Sequence, residues 1–216
     1  MSWMQRLCGF ATLVAWTAAM AANPSVVTFE HVGALPDDWS SGITGSGNAK
    51  WDVVTDGVPP SAHKVLRQSG EATFCWAARR DIRIRDGFVE VKLKPVAGKE
   101  DQAGGLVFRF QDANNYYVVR ANALEDNVVL YKTVNGKRSS LPVKDRMFGY
   151  GVDTDVPSGR WSSLRVTFEG SLFTVYYQGE KLFEVQDDTF AGPGAVGVWT
   201  KADSVTLFDA FTFAGH

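Results

Sequence analysis

Apolar and polar residues alternate at every second position in a series of short stretches, clearest in Phe88-Val89-Glu90-Val91-Lys92-Leu93 and repeated over 106–110, 116–121, 128–134, 164–168, 172–177 and 181–185. A period of two places successive side chains on opposite faces, so each stretch predicts a half-buried β-strand. Tight-turn dipeptides separate several of them, at Asn135-Gly136, Glu169-Gly170 and Gln178-Gly179, where glycine supplies the positive φ that a two-residue hairpin requires. No window keeps apolar residues at i, i+3, i+4 and i+7 for three turns, so little or no α-helix is expected outside the N-terminus. Antiparallel hairpins in series without helical crossovers exclude doubly wound α/β folds and leave a sandwich or a barrel. Between 161 and 185 the apolar set Leu164, Val166, Phe168, Phe173, Val175 and Tyr177 shares one face, which a second sheet must cover.

Two stretches break this rhythm. Residues 33–64 are rich in Gly, Ser, Pro and Asp but hold Trp39 and Trp51, and are expected to wrap the surface, pinned by their indoles. Residues 144–160 read as a long Gly/Asp loop carrying Phe148 and Tyr150, and a loop of that length in a compact β domain is more often functional than idle.

The N-terminus has a different character. One positive side chain, Arg6, precedes an apolar run from Leu7 to Trp16 and the small-residue end Ala19-Met20-Ala21, the order of a secretory signal peptide over 1–21. The run is too short to span a bilayer, and no later segment is apolar enough to do so, so residues 22–216 are expected as a single exported domain, periplasmic or secreted, without membrane insertion. Loss of Arg6 takes the net charge from −2 to −3, with both signs scattered, which argues against a nucleic-acid partner. Cys8 leaves with the signal, so the fold has to stand without an internal disulfide, and Cys75, in an apolar aromatic run, reads as a buried inert thiol.

The segments Gly105-Leu106-Val107-Phe108-Arg109-Phe110, Asn115-Tyr116-Tyr117-Val118-Val119-Arg120-Ala121, Trp161-x-x-Leu164-Arg165-Val166, Val175-Tyr176-Tyr177-Gln178-Gly179, Gly197-Val198-Trp199-Thr200-Lys201-Ala202-Asp203-Ser204 and Phe208-Asp209-Ala210-Phe211, in this order and spacing, resemble the laminin G-like, concanavalin A-like superfamily. Within it the chain looks most like the bacterial 3-keto-disaccharide hydrolase domain, over about residues 29–213. The resemblance implies an all-β jelly-roll sandwich of two curved antiparallel sheets whose concave face meets sugar. It also implies paired N- and C-terminal strands that bring Phe29 and Glu30 near Phe208 and Asp209.

A sugar-binding surface needs flat aromatics for C–H faces and fixed polar groups for hydroxyls. Strand alternation puts Leu106, Phe108 and Phe110 on the core face and Arg109 with Val107 on the open side. It also groups Trp199 with Lys201, away from Val196 and Val198, and opposes Tyr131 to Val128 and Leu130. Arg120 shares a face with Tyr116 and Val118, its direction left open. The candidate sugar surface is therefore Trp76, Arg109, Arg120, Tyr131, Trp199 and Lys201, against the alternative that the aromatics fill the core and the cations solvate a sheet.

Retaining jelly-roll glucanases need two acids about 5–5.5 Å apart on one strand, and no E-x-D-x-E array exists here: Glu90 stands alone and Glu184 closes a strand. Cleavage of 3-keto-disaccharides, implied by the resemblance alone, asks for one base and one acid. His31, His63 and His216 show no metal-ligand spacing, so zinc or iron is not expected. Calcium takes hard oxygens, and Glu30 with Asp209 is the candidate pair for a structural calcium ion, Asp153 with Asp155 a weaker second. A glycan binder, a glycoside-cleaving enzyme and a structural envelope domain all remain open at this level.

Overall fold

A computed structural model describes residues 23–61, 64–146 and 149–216. The expected signal segment with Cys8, and also His63 and Phe148, lie outside the described residues. The described residues form no α-helix. In chain order the strands are β1 Ser25–Val27, β2 Gly33–Ala34, β3 Trp39–Asn48, β4 Trp51–Thr55, β5 Lys64–Gln68, β6 Glu71–Arg79, β7 Gly87–Ala97, β8 Ala103–Asp112, β9 Asn115–Asn122, β10 Asn127–Val134, β11 Lys137–Ser140, β12 Val152–Asp153, β13 Ser162–Glu169, β14 Leu172–Tyr177, β15 Glu180–Gln186, β16 Ala195–Ala202 and β17 Val205–Gly215.

Two antiparallel sheets result. One runs β15-β14-β13-β7-β17-β5-β4-β2, with β1 also on β17; the other runs β11-β10-β9-β8-β16-β6-β3, with β12 on β10. Their facing sides interleave Val89, Val91, Leu93, Val166, Phe168, Phe173 and Phe208 with Leu106, Phe108, Tyr117, Val119, Leu130 and Val198, which is the main core. Burying a large apolar side chain stabilises by about 1.5–3 kcal/mol, so these alternating strands are held together through their inward residues. The alternation expected for 164–177 is borne out, and Val26 pairs with Thr212, so the terminal strands lie side by side as the resemblance implied.

Two local expectations are corrected. The described part of the segment 33–64 runs mainly as strands: Trp39 and Trp51 begin two of them, and both indoles are buried, Trp39 against Phe29 and Phe211, Trp51 against Phe208. Burying an indole gains more than pinning it on a loop, and the small residues between them fit an edge strand. The turn expected at Glu169-Gly170 lies one residue later, because Glu169 pairs with Leu172 and leaves Gly170-Ser171 as the loop. The Asn135-Gly136 and Gln178-Gly179 turns are where the sequence placed them, with both residues of each at positive φ.

Candidate functional site

The eight-stranded sheet curls so strongly that its edge strand bends over its middle. Thr44 of β3 exchanges a 2.8 Å hydrogen bond with the Tyr116 hydroxyl of β9, although β6, β16 and β8 lie between those strands in the sheet. The hollow so formed holds a second apolar cluster, separate from the main core, of Trp76, Phe110, Tyr116, Val118, Val129, Tyr131 and Trp199, with Phe74 packed on it. Register sets its members: Trp76 stands opposite Trp199 across β6 and β16, and Tyr131 opposite Val118 across β10 and β9.

Of the six residues expected on this face, five are brought together. Trp76, Tyr131, Trp199, Arg120 and Lys201 all project from it, and the ambiguous direction of Arg120 is settled, since its guanidinium lies 5.8 Å from the Tyr131 ring. Arg109 is the exception. Phe110 and Val107 of β8 stand opposite Ala195 and Gly197 of β16, so three steps on one strand match two on the other, and Arg109 takes φ 44° at that bulge. One extra residue reverses the phase of the alternation. Phe110 passes to the hollow and Arg109 turns inward, 1% exposed, between the sheets. There it donates to the carbonyls of Arg85, Phe190 and Gly170 and to Asp86, and lies over the rings of Phe168 and Phe173. Burial lowers its pKa and Asp86 acts in the opposite direction.

At one end of the hollow Arg120, 1% exposed, donates through Nη2 to Glu125 Oε2 at 2.7 Å, to the Tyr131 hydroxyl at 3.0 Å and to the Tyr150 hydroxyl at 3.2 Å, and through Nη1 to the Asn127 side chain. Burial would raise the Glu125 pKa, yet Arg120, by charge and hydrogen bond, and Asn127 bring it below its ordinary value. Tyr150, 47% exposed, comes from the 144–160 segment, whose described residues are tied down by Lys144 on Glu184, by β12 and by Thr154 on Asp126. Toward the same end Lys201 of β16 pairs with the buried Asp101, whose second oxygen accepts from Asn122, two residues along β9 from Arg120, at 2.7 Å. Asp101 is itself positioned by Asp203, which accepts the backbone N–H groups of Lys99, Glu100 and Asp101.

Over the middle lies Arg138 of the edge strand β11, with its guanidinium carbon 4.2 Å from the Tyr131 ring centre, 4.5 Å from Phe74 and 5.4 Å from Trp199. Nothing local foretells this: Lys137-Arg138-Ser139-Ser140 reads as an exposed polar strand, and only the curl of the sheet carries Arg138 across to β6 and β16. Phe74, Glu125 and Asp101 were missed for the same reason, whereas Tyr150 belongs to the 144–160 segment that its length had marked. From Phe74 and Lys201 an open groove of about 750 Å³ continues past Lys50, Glu71, Thr73 and Glu100, within the range of small-ligand sites.

Asp209 is buried and accepts from Ser61 N, Ser61 Oγ and Ala210 N, while Glu30 accepts from Thr28 on the surface. Those donors satisfy Asp209 without an ion. Among the described residues no three His, Cys, Asp or Glu side chains converge as a metal site, at Glu30 and Asp209 or at Asp153 and Asp155.

Two curled antiparallel sheets with side chains gathered in the hollow of one define a concanavalin A-like, galectin-like jelly roll. Similar solved structures are the carbohydrate-binding module CBM66 from Bacillus subtilis (20% identity, TM-score 0.65, 82% of this chain and 96% of that one), a galectin-like protein of unknown function from Bacillus subtilis (12%, 0.56, 82% and 89%) and the cellulose induced protein Cip1 (12%, 0.55, 83% and 92%). Neither a protein-family model nor a curated protein sequence matches the chain.

Proposed function

We propose that this chain is an exported carbohydrate-binding domain that takes a glycan on the hollow side of its eight-stranded sheet. The observation that carries the proposal is the convergence of Phe74, Trp76, Tyr131 and Trp199 with Arg120, Arg138 and Lys201 on one curled face that opens into a groove. Trp76, Tyr131 and Trp199 are buried and form the floor, so the part-exposed Phe74 offers the ring for a sugar C–H face, and Arg138, Lys201 and the exposed Tyr150 supply hydroxyl partners. A carbohydrate-binding module with the same fold supports the reading.

Binding is favoured over glycoside cleavage by the state of the two acids that pair with the cations of this face. Glu125 is kept ionised by Arg120, a poor condition for a proton donor, and Asp101 is engaged by Lys201 and Asn122. Export rests on the order of charged, apolar and small residues over 1–21. The test is an oligosaccharide array followed by calorimetry on the best ligand, comparing the native chain with Phe74→Ala. Phe74 is part-exposed, so its loss is expected to weaken binding at least tenfold with little change in melting temperature. A native chain that binds no oligosaccharide would end this reading.

A further inference from the structure

We infer that the glycan is an acidic one, whose carboxylate or sulfate is received at Arg138; this rests on the carbohydrate reading above. The charges of the hollow do not balance. Arg120 is matched by Glu125 and Lys201 by Asp101, but among the described residues Arg138 has no carboxylate within ion-pair distance. Its charge is met only by the π faces of Tyr131, Phe74 and Trp199.

Stacking satisfies a guanidinium above and below its plane. It does nothing for the N–H groups in that plane, which are the ones that grip an anion in a bidentate fork. Arg138 Nη1 is buried without a protein hydrogen-bond partner among the described residues, and so are Arg120 Nε, Trp76 Nε1, Trp199 Nε1 and the Thr133 hydroxyl on the same face. Four of these five can only donate. A buried donor left unmade costs on the order of 1–3 kcal/mol, and the groups that relieve donors without adding further donors are anionic oxygens. Neutral sugar hydroxyls both donate and accept, so they suit this set less well.

Position favours Arg138 as the receiving group. It sits on a four-residue edge strand, between the aromatic floor and solvent, and Phe74 beneath it also lines the groove shared with Lys201. An anion at Arg138 would leave the rest of a chain of sugars free to run along that groove. The guanidinium is already held by three rings, so it loses little further freedom when it binds.

The experiment is calorimetry of the full chain with three probes: oligogalacturonate, the same oligomer with its carboxylates methyl-esterified, and a sulfated oligosaccharide. Each is run on the native chain, on Arg138→Gln and on Arg138→Lys. The expected result is binding of at least one charged probe, about tenfold or more weaker for the ester and for Arg138→Gln, and partly kept in Arg138→Lys. Preference between the first and third probes identifies carboxylate or sulfate as the group. If the ester, or neutral oligosaccharides from the array, bind as tightly as the charged probes and Arg138→Gln changes nothing, the acidic-ligand inference falls while the carbohydrate reading stands. No binding to any oligosaccharide removes both. Circular dichroism of the two variants separates lost binding from lost folding.

Discussion

The guanidinium of Arg109 lies 5.3 Å from the ring centre of Phe173, in the gap between the two sheets, and its carbonyl partners come from three different connections, at Arg85, Gly170 and Phe190. It therefore fastens the ends of both sheets around one buried cation. Such a group is costly to desolvate and is kept in place by its full set of hydrogen bonds.

Arg109→Ala is expected to destabilise the fold by on the order of 3 kcal/mol, because three carbonyls and Asp86 lose their donor at once and a large buried side chain is removed. Urea titration measures it. Unchanged stability together with lost sugar binding would return Arg109 to the ligand surface.

Trp76 has room to lie across the edge strand because its partner residue there is Gly42: a Cβ added at that position would stand 2.5 Å from the indole Cζ2. Gly42→Ala is expected to displace the ring, shift the tryptophan emission and weaken glycan binding several-fold while the sheets persist. A crystal structure of the variant with Trp76 unmoved would contradict this.

Burial pushes the Cys75 thiol up to about 11, against the opposing hydrogen bonds of Thr200 and Gln68. The native thiol should not react with a disulfide reagent at pH 8, but should titrate fully in denaturant. A raised native pKa means that the folded state holds its proton longer than the unfolded one, so the contribution is complete below pH 9 and is lost as the pH rises toward 11. Burial raises Tyr117 and Tyr131 too, which adds to the alkaline loss. Melting temperatures measured between pH 8 and 11 in native chain and Cys75→Ala show whether the slope falls in the variant.

Asp203 is lowered first by the Lys99 N–H, against burial, and further by the Asp101 and Glu100 N–H groups. Its contribution is present above the ordinary aspartate value of 3.8 and lost as the pH falls below it. Asp203→Ala should cost about 1 kcal/mol at pH 7 and less at pH 3, and should loosen Asp101 beneath Lys201. Equal costs at both values of pH would show that the carboxylate charge is irrelevant.

Much of the fold is legible in the chain because a period of two is a local property. The strands at 88–93, 128–134 and 172–177, the Asn135-Gly136 turn, and the grouping of Trp199 with Lys201 all follow from neighbours in sequence. The concealed strands at Trp39 and Trp51 were not legible, because glycine and serine there resemble loop composition and only the opposing sheet rewards their extension.

By itself the sequence determined that alternating residues would form layered hairpins with one apolar side each, since side-chain direction along a regular strand needs no knowledge of distant residues. Tertiary structure decided what lies over what. One extra residue at Arg109 reversed the phase of β8 and sent that cation into the core, and the curl of the eight-stranded sheet carried Arg138 over Tyr131, Phe74 and Trp199. Bulges and curvature arise from pairing between strands far apart in sequence, so no single strand's pattern contains them.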